Sequence, residues 1–139
     1  NRLNNSSSLE VVEARNGDKI KPGLVYVAPG GFHMMAQQGE ISLDKSPPIH
    51  GVRPAVDKLF ESAANMYGSG LLCCVFTGMG RDGARGVEVA KEKGGIIIAQ
   101  DEETSVIYGM PKAAYETGCV DLVLPCDKIA QEIIKLVIG

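Results

Sequence analysis

Leu71-Leu72-Cys73-Cys74-Val75-Phe76-Thr77-Gly78-Met79-Gly80-Arg81-Asp82-Gly83-Ala84-Arg85-Gly86 is the stretch whose reading decides the fold. Leu71 to Phe76 is an unbroken apolar run, as expected of a strand covered on both faces. A glycine-rich loop follows, and Ala84 to Lys93 has the character of a helix, ended by Gly94-Gly95. Working outward, Ile96 to Ala99 predicts a second buried strand, and Pro111 to Thr117 a short helix started by proline and stopped by Gly118. Leu122 to Leu124 predicts a third strand, and Asp127 to Val137 a closing helix capped by Asp127. Upstream, Pro54 to Tyr67 predicts a helix with Val56, Leu59, Phe60 and Ala63 on one face. Strands alternating with helices imply a parallel α/β sheet.

The first part of the chain differs in kind. Leu9 to Ala14 and Leu24 to Ala28 read as strands, separated by a turn at Asn16-Gly17-Asp18. Phe32 to Ala36 and Glu40 to Leu43 can pair as a hairpin across Gln37-Gln38-Gly39, and Pro47-Pro48 marks a loop. Asn4 to Ser8 reads as a polar loop. The chain opens on Asn1-Arg2-Leu3, without Met and without an element of its own, so it is expected to begin inside a domain.

The 139 residues suit one domain. Net charge is −3 with Lys and Arg scattered, which argues against a nucleic-acid module. No apolar run reaches the roughly 18 residues that span a bilayer, so no membrane insertion is expected, and the chain reads as soluble and cytoplasmic. None of the four cysteines makes a C-x-x-C pair, so buried free thiols are expected rather than a zinc site.

Two chemistries compete for the glycine loop. Gly78, Gly80 and Gly83 satisfy G-x-G-x-x-G between a strand and a helix, and Asp101 follows the next strand. By motif rules this is a dinucleotide-binding fingerprint with its ribose acid. Asp82 opposes that reading, because a carboxylate beside the helix N-terminus would repel a pyrophosphate there. The plainest role for Asp82 is an N-cap of the helix that follows it. Its place at the carboxyl end of a parallel strand suggests another, since α/β sheets hold their ligands there. A carboxylate in that position can orient a histidine from another loop.

Thr77-Gly78-Met79-Gly80-Arg81-Asp82-Gly83-Ala84-Arg85-Gly86 resembles the T-G-M-G-x-D-G-x-x-G signature of the CheB family, the protein-glutamate methylesterases of bacterial chemotaxis. Val27-Ala28-Pro29-Gly30-Gly31-Phe32-His33 resembles the family's A-P-G segment, and Arg53-Pro54-Ala55-Val56-Asp57 its R-P-x-V-D segment. Ala99-Gln100-Asp101-Glu102 and Tyr108-Gly109-Met110-Pro111 match as well, in the same order. The resemblance implies a doubly wound, mostly parallel α/β sheet of Rossmann-like form, incomplete at its N-terminus and carrying a β-hairpin. Residues 1–139 would then be the C-terminal portion of the catalytic domain, without its N-terminal part and without the family's receiver domain.

The same resemblance implies a carboxylic-ester hydrolase that removes methyl esters from glutamates on chemoreceptor signalling helices and deamidates certain glutamines. It implies a Ser-His-Asp triad and no cofactor or metal. Carried over, the triad acid is Asp82 and the oxyanion donor is the backbone N–H of Met79, with Thr77, Gly78, Gly80, His33 and Arg53 lining the site. The family's G-x-S-x-G-G-type nucleophile loop and Q-H-M-P-type histidine segment do not occur in these residues. Ser69 precedes a strand rather than following one. His33 belongs to the A-P-G segment, where a structural or site-lining role is expected. His50 beside the Pro47-Pro48 loop is expected to be exposed. The chain by itself is expected to lack esterase activity.

Overall fold

The structure is a computed structural model that describes residues 9–138; the Asn4–Ser8 loop expected from sequence lies outside the described residues. Seven strands and four α-helices occur among them: β1 (Glu10–Glu13), β2 (Leu24–Val27), β3 (His33–Gln37), β4 (Glu40–Asp44), α1 (Val56–Tyr67), β5 (Leu72–Val75), α2 (Ala84–Glu92), β6 (Ile96–Gln100), α3 (Met110–Glu116), β7 (Leu122–Leu124) and α4 (Cys126–Ile138).

The second half is the parallel α/β unit predicted from the strand–helix alternation. Its strands lie in the order β5-β6-β7, all parallel, with Cys73 opposite Ile97 and Ile98 opposite Leu122. Side chains alternate along β5 and β6, so the sheet has two apolar faces to cover. Cys73, Val75 and Ile97 share one face and are buried with Ala64 of α1, Val87 and Ala90 of α2 and Ala114 of α3. Ile98 points to the other face, and α4 is the remaining helix in contact with β6. Ile97 and Ile98 are both wholly buried, worth about 1.5–3 kcal/mol each in apolar burial.

In the first half β1 and β2 pair in parallel, a relationship not read from their sequence. The predicted hairpin forms, β3 against β4, with His33 opposite Asp44 and the turn at Gln38-Gly39. Both turn residues have positive φ, 51° and 79°, as a tight two-residue connection requires. Met34 and Ile41 of this hairpin are buried with Ala14 in a second, smaller core, against which Leu59 of α1 packs.

Two helix starts differ from expectation. Asp127 is not the cap of α4; the helix begins one residue earlier, at Cys126, with Asp127 in its first turn. The Cys126 N–H donates instead to Thr104 Oγ1 at 3.0 Å, a partner from the β6–α3 loop. Helix α1 starts at Val56 rather than Pro54, because Ala55 is extended and supplies no side-chain cap. The expectation of buried thiols holds fully only for Cys73. Cys74 and Cys119 are half-buried and Cys126 is exposed.

Candidate functional site

The loops after β5 and β6 meet at the carboxyl end of the sheet, where α/β folds place their sites. Backbone groups do most of the joining. The Thr77 hydroxyl donates to the Ile107 carbonyl at 3.0 Å and accepts the Ile107 N–H at 2.9 Å. Gly78 N–H donates to the same carbonyl, while its own carbonyl accepts the N–H groups of Gly109 and Met110 at 3.1 and 2.8 Å. Glycine is needed at Gly109, where the neighbours are backbone, and at Gly78 a side chain would have to displace Met110. A methyl group on Gly78 would stand 2.5 Å from Met110 Sδ, and one on Gly109 would stand 2.7 Å from the Gly78 carbonyl oxygen.

Gln100, buried at the end of β6, ties the two loops from beneath. Its Oε1 accepts the Thr77 N–H at 2.8 Å and its Nε2 donates to the Thr104 carbonyl at 2.8 Å. Sequence reading touched Gln100 only as part of a matched segment and gave it no role. A buried glutamine closing an apolar strand was the available signal, since such an amide must find partners.

Held this way, the loop from Thr77 to Gly80 presents Met79 outward, the residue being 77% exposed. Among the described residues no hydrogen bond engages the Met79 N–H. Gly80 turns the backbone at φ 88°, and the chain then dives inward to Asp82, which is 7% exposed. The Asp82 carboxylate does not cap its own helix. Its Oδ2 accepts the Val56 N–H at 2.7 Å and its Oδ1 the Asp57 N–H at 3.0 Å. These are orphan donors of α1, and a carboxylate is favoured at that positive end.

Asp57 returns the arrangement. Its Oδ1 accepts the N–H groups of Gly83, the residue before α2, at 3.0 Å and of Gly86 in its first turn at 2.8 Å. Its Oδ2 lies 3.6 Å from Nε2 of His50, which is exposed as expected. The N-terminus of α2 is therefore already filled by a carboxylate. A dinucleotide pyrophosphate would need that place. The Asp101 carboxylate is spent too, on the N–H and hydroxyl of Thr104 at 3.0 and 2.6 Å. The geometry thus disfavours the dinucleotide reading at both of its key positions.

His33 and Arg53 lie beside this cluster; both ring nitrogens of His33 are engaged, whereas Arg53 is engaged through Nη1 and its buried Nε has no partner among the described residues. His33 is wholly buried; its Nδ1 accepts the Ala55 N–H at 3.2 Å, so Nε2 carries the proton and donates to the Pro47 carbonyl at 3.0 Å. The Arg53 guanidinium donates through Nη1 to the carbonyls of Lys45 and Ser46. Both side chains anchor the segment that leads into α1. Among the described residues there is no group of three or more His, Cys, Asp or Glu placed to hold a metal, and no helix long and apolar enough to cross a membrane.

A buried acid and an unengaged N–H at the carboxyl edge of a parallel sheet mark an α/β domain whose chemistry sits on the loops after its strands. Comparison with known proteins gives the particular kind. Residues 1–133 match the family model described as CheB methylesterase. A protein-glutamate methylesterase/protein-glutamine glutaminase of Clostridium acetobutylicum is 55% identical over 139 residues, covering 99% of this chain and 40% of the relative. The protein of the same name from Pyrococcus horikoshii is 51% identical, covering 98% and 38%. The crystal structure of the Thermotoga maritima CheB methylesterase catalytic domain superposes with a TM-score of 0.92 at 47% identity, covering 97% of this chain and 74% of that domain. The chain belongs to the CheB methylesterase family. It spans about 40% of the length of the curated relatives it matches.

Proposed function

We propose that this chain supplies the acid and the oxyanion donor of a protein-glutamate methylesterase and protein-glutamine glutaminase site. Asp82 is the acid of a Ser-His-Asp triad, and the Met79 N–H is the oxyanion donor. The serine and histidine belong to the part of the longer protein that this chain does not span. The observation that carries the reading is the Asp82 carboxylate itself: buried at the carboxyl end of the sheet, fixed by two backbone donors, and one short turn from an unengaged N–H.

The chemistry follows from those positions. The serine attacks the ester or amide carbonyl as the histidine takes its proton. Asp82 holds the imidazole in the correct tautomer and stabilises the imidazolium. Negative charge gathers on the carbonyl oxygen, where a fixed N–H lowers the barrier without reorganising. The histidine then protonates the leaving methanol or ammonia, and water releases the glutamate. Thr77, Gly78 and Gly80 set the path of the loop, and His33 and Arg53 support the segment leading to α1. No step asks for a metal or cofactor.

The proposed substrates are glutamyl methyl esters and glutamines on the cytoplasmic signalling helices of chemoreceptors, with a receiver domain in the longer protein governing access. Neither His33 nor His50 faces Asp82 with a free nitrogen at hydrogen-bond distance. The chain alone is therefore expected to be inactive. Methyl-labelled receptor membranes incubated with the longer protein should release methanol, and incubation with this chain alone should release none. Turnover by the chain alone would overturn the proposal.

A further inference from the structure

We infer that Asp57 is the positioning residue of the site: it fixes the Asp82 carboxylate by capping the helix that Asp82 precedes. This rests on the reading of Asp82 as the triad acid, and it concerns a residue to which that reading gives no task.

Three observations carry it. First, Asp57 and Asp82 are joined twice. The Asp57 N–H donates to Asp82 Oδ1, and the Asp57 carboxylate accepts the N–H of Gly83, the residue bonded to Asp82. Each acid caps the helix that the other's backbone begins, so neither loop can shift alone. Second, α2 has no cap of its own. Gly83 is its N-cap residue, at φ 101° and without a side chain. The acceptor must come from outside, and Asp57, 3% exposed, supplies it. Third, the two helices are shaped for that reach. A methyl group on Gly86 would stand 2.6 Å from Phe60 Cβ and 3.3 Å from Asp57 Cα. Only glycine allows α1 to approach closely enough for Asp57 Oδ1 to take the Gly86 N–H at 2.8 Å.

The role differs from that of a general structural cap because of what it controls. Without the Asp57 carboxylate, the donors on Asp82 remain, since Val56 and Asp57 supply them from the backbone. What is released is the Asp82–Gly83 turn. The acid would then tilt relative to the histidine it orients, and displacement of a catalytic group by about 1 Å can cost about a hundred-fold in rate. A looser acid also stabilises the imidazolium less, which lowers the histidine's apparent pKa.

The test uses the longer protein, with kcat, KM and the acid limb of the kcat/KM profile measured per folded molecule. Asp57→Ala should lower kcat by about ten- to a hundred-fold with KM little changed, and should move the acid limb to lower pH. Asp57→Asn keeps an oxygen acceptor for Gly83 and Gly86 and should recover most of kcat. Should Asp57→Ala not fold, Asp57→Glu carries the same expectation, because the extra methylene displaces the acceptor. A folded Asp57→Ala or Asp57→Glu with wild-type kcat and an unmoved acid limb would overturn the inference. So would a loss in Asp57→Asn as deep as in Asp57→Ala. Asp82→Asn is run in parallel: if it alone retains activity, the triad assignment fails, whereas if it is inactive while Asp57→Ala is not, only the positioning role fails.

Discussion

Asp82 Oδ2 lies 2.7 Å from the backbone nitrogen of Val56, so an acid in the β5–α2 loop caps a helix that begins 26 positions earlier in the chain. The carboxylate has a structural effect independent of any chemistry. Replacing a capping acid by alanine costs about 0.5–2 kcal/mol, and more where the donors are buried. Asp82→Ala is expected to lose about 2 kcal/mol in urea denaturation. Asp82→Asn keeps one oxygen acceptor and should lose about half as much. An unchanged midpoint in Asp82→Ala would mean that the contact is not formed in solution.

Gly109 offers a test of the loop junction. A methyl group there meets the Gly78 carbonyl at 2.7 Å and the Gly80 nitrogen at 2.9 Å, and neither is a side chain that can swing aside. Gly109→Ala is therefore expected to destabilise the fold by about 1–3 kcal/mol. It should also depress esterase activity in the longer protein, because the displaced backbone carries Met79. Denaturation and methanol release, measured on the same preparation, should fall together.

His33 is expected to matter for folding and not for turnover. Both ring nitrogens are engaged, one accepting from Ala55 and one donating to Pro47. His33→Leu leaves two buried backbone groups unpaired, a loss of about 3 kcal/mol. At a temperature where the longer variant is still folded, kcat per folded molecule should stay within about three-fold of wild type. A complete loss of turnover in a folded variant would assign the residue to the chemistry.

Burial pushes the Cys73 thiol up from its ordinary value of 9.0 to about 12, with the neighbouring Cys74 adding to the effect. Alkylation at pH 8 should therefore label exposed Cys126 first and leave Cys73 unmodified until the protein unfolds, as read by mass spectrometry. The linkage has a definite sign. Because the folded pKa lies above the unfolded one, this contribution to stability is complete below about pH 9 and is lost as pH rises toward 12. The urea midpoint should fall across that window, and Cys73→Ser should flatten the fall.

Much of this molecule was legible from sequence, for identifiable reasons. The apolar runs at Leu71–Phe76 and Ile96–Ala99 and the glycine stops at Gly94-Gly95 and Gly118 fixed the parallel unit, because two-sided burial leaves a plain signature. The hairpin followed from Gln37-Gln38-Gly39 between two strand patterns, with Gln37 falling in the strand and the turn at Gln38-Gly39. The parallel pairing of β1 with β2 was not readable: four-residue strands carry no record of their partner's direction. The helix starts were harder still. Val56 and Cys126 look like poor beginnings, because the groups that hold them, Asp82 and Thr104, come from other loops. Asp57 was hidden for the same reason. An acid in the first turn of a helix reads as a response to its own dipole, and only the tertiary structure turns it toward the next helix. Asp82 lies at the sheet's carboxyl edge, where its place after an apolar strand puts it, but its hydrogen-bond partners lie on a different helix from the one its sequence position suggests.

The most direct test of the account is the turnover number of Asp82→Asn in the longer protein, read as methanol released from methyl-labelled receptor. The substitution preserves shape and keeps an acceptor for α1, so the fold should survive. Loss of the triad acid in this way should lower kcat by about 10⁴-fold. Methanol release at close to the wild-type rate from the folded variant would contradict the assignment of Asp82 as the acid of the site.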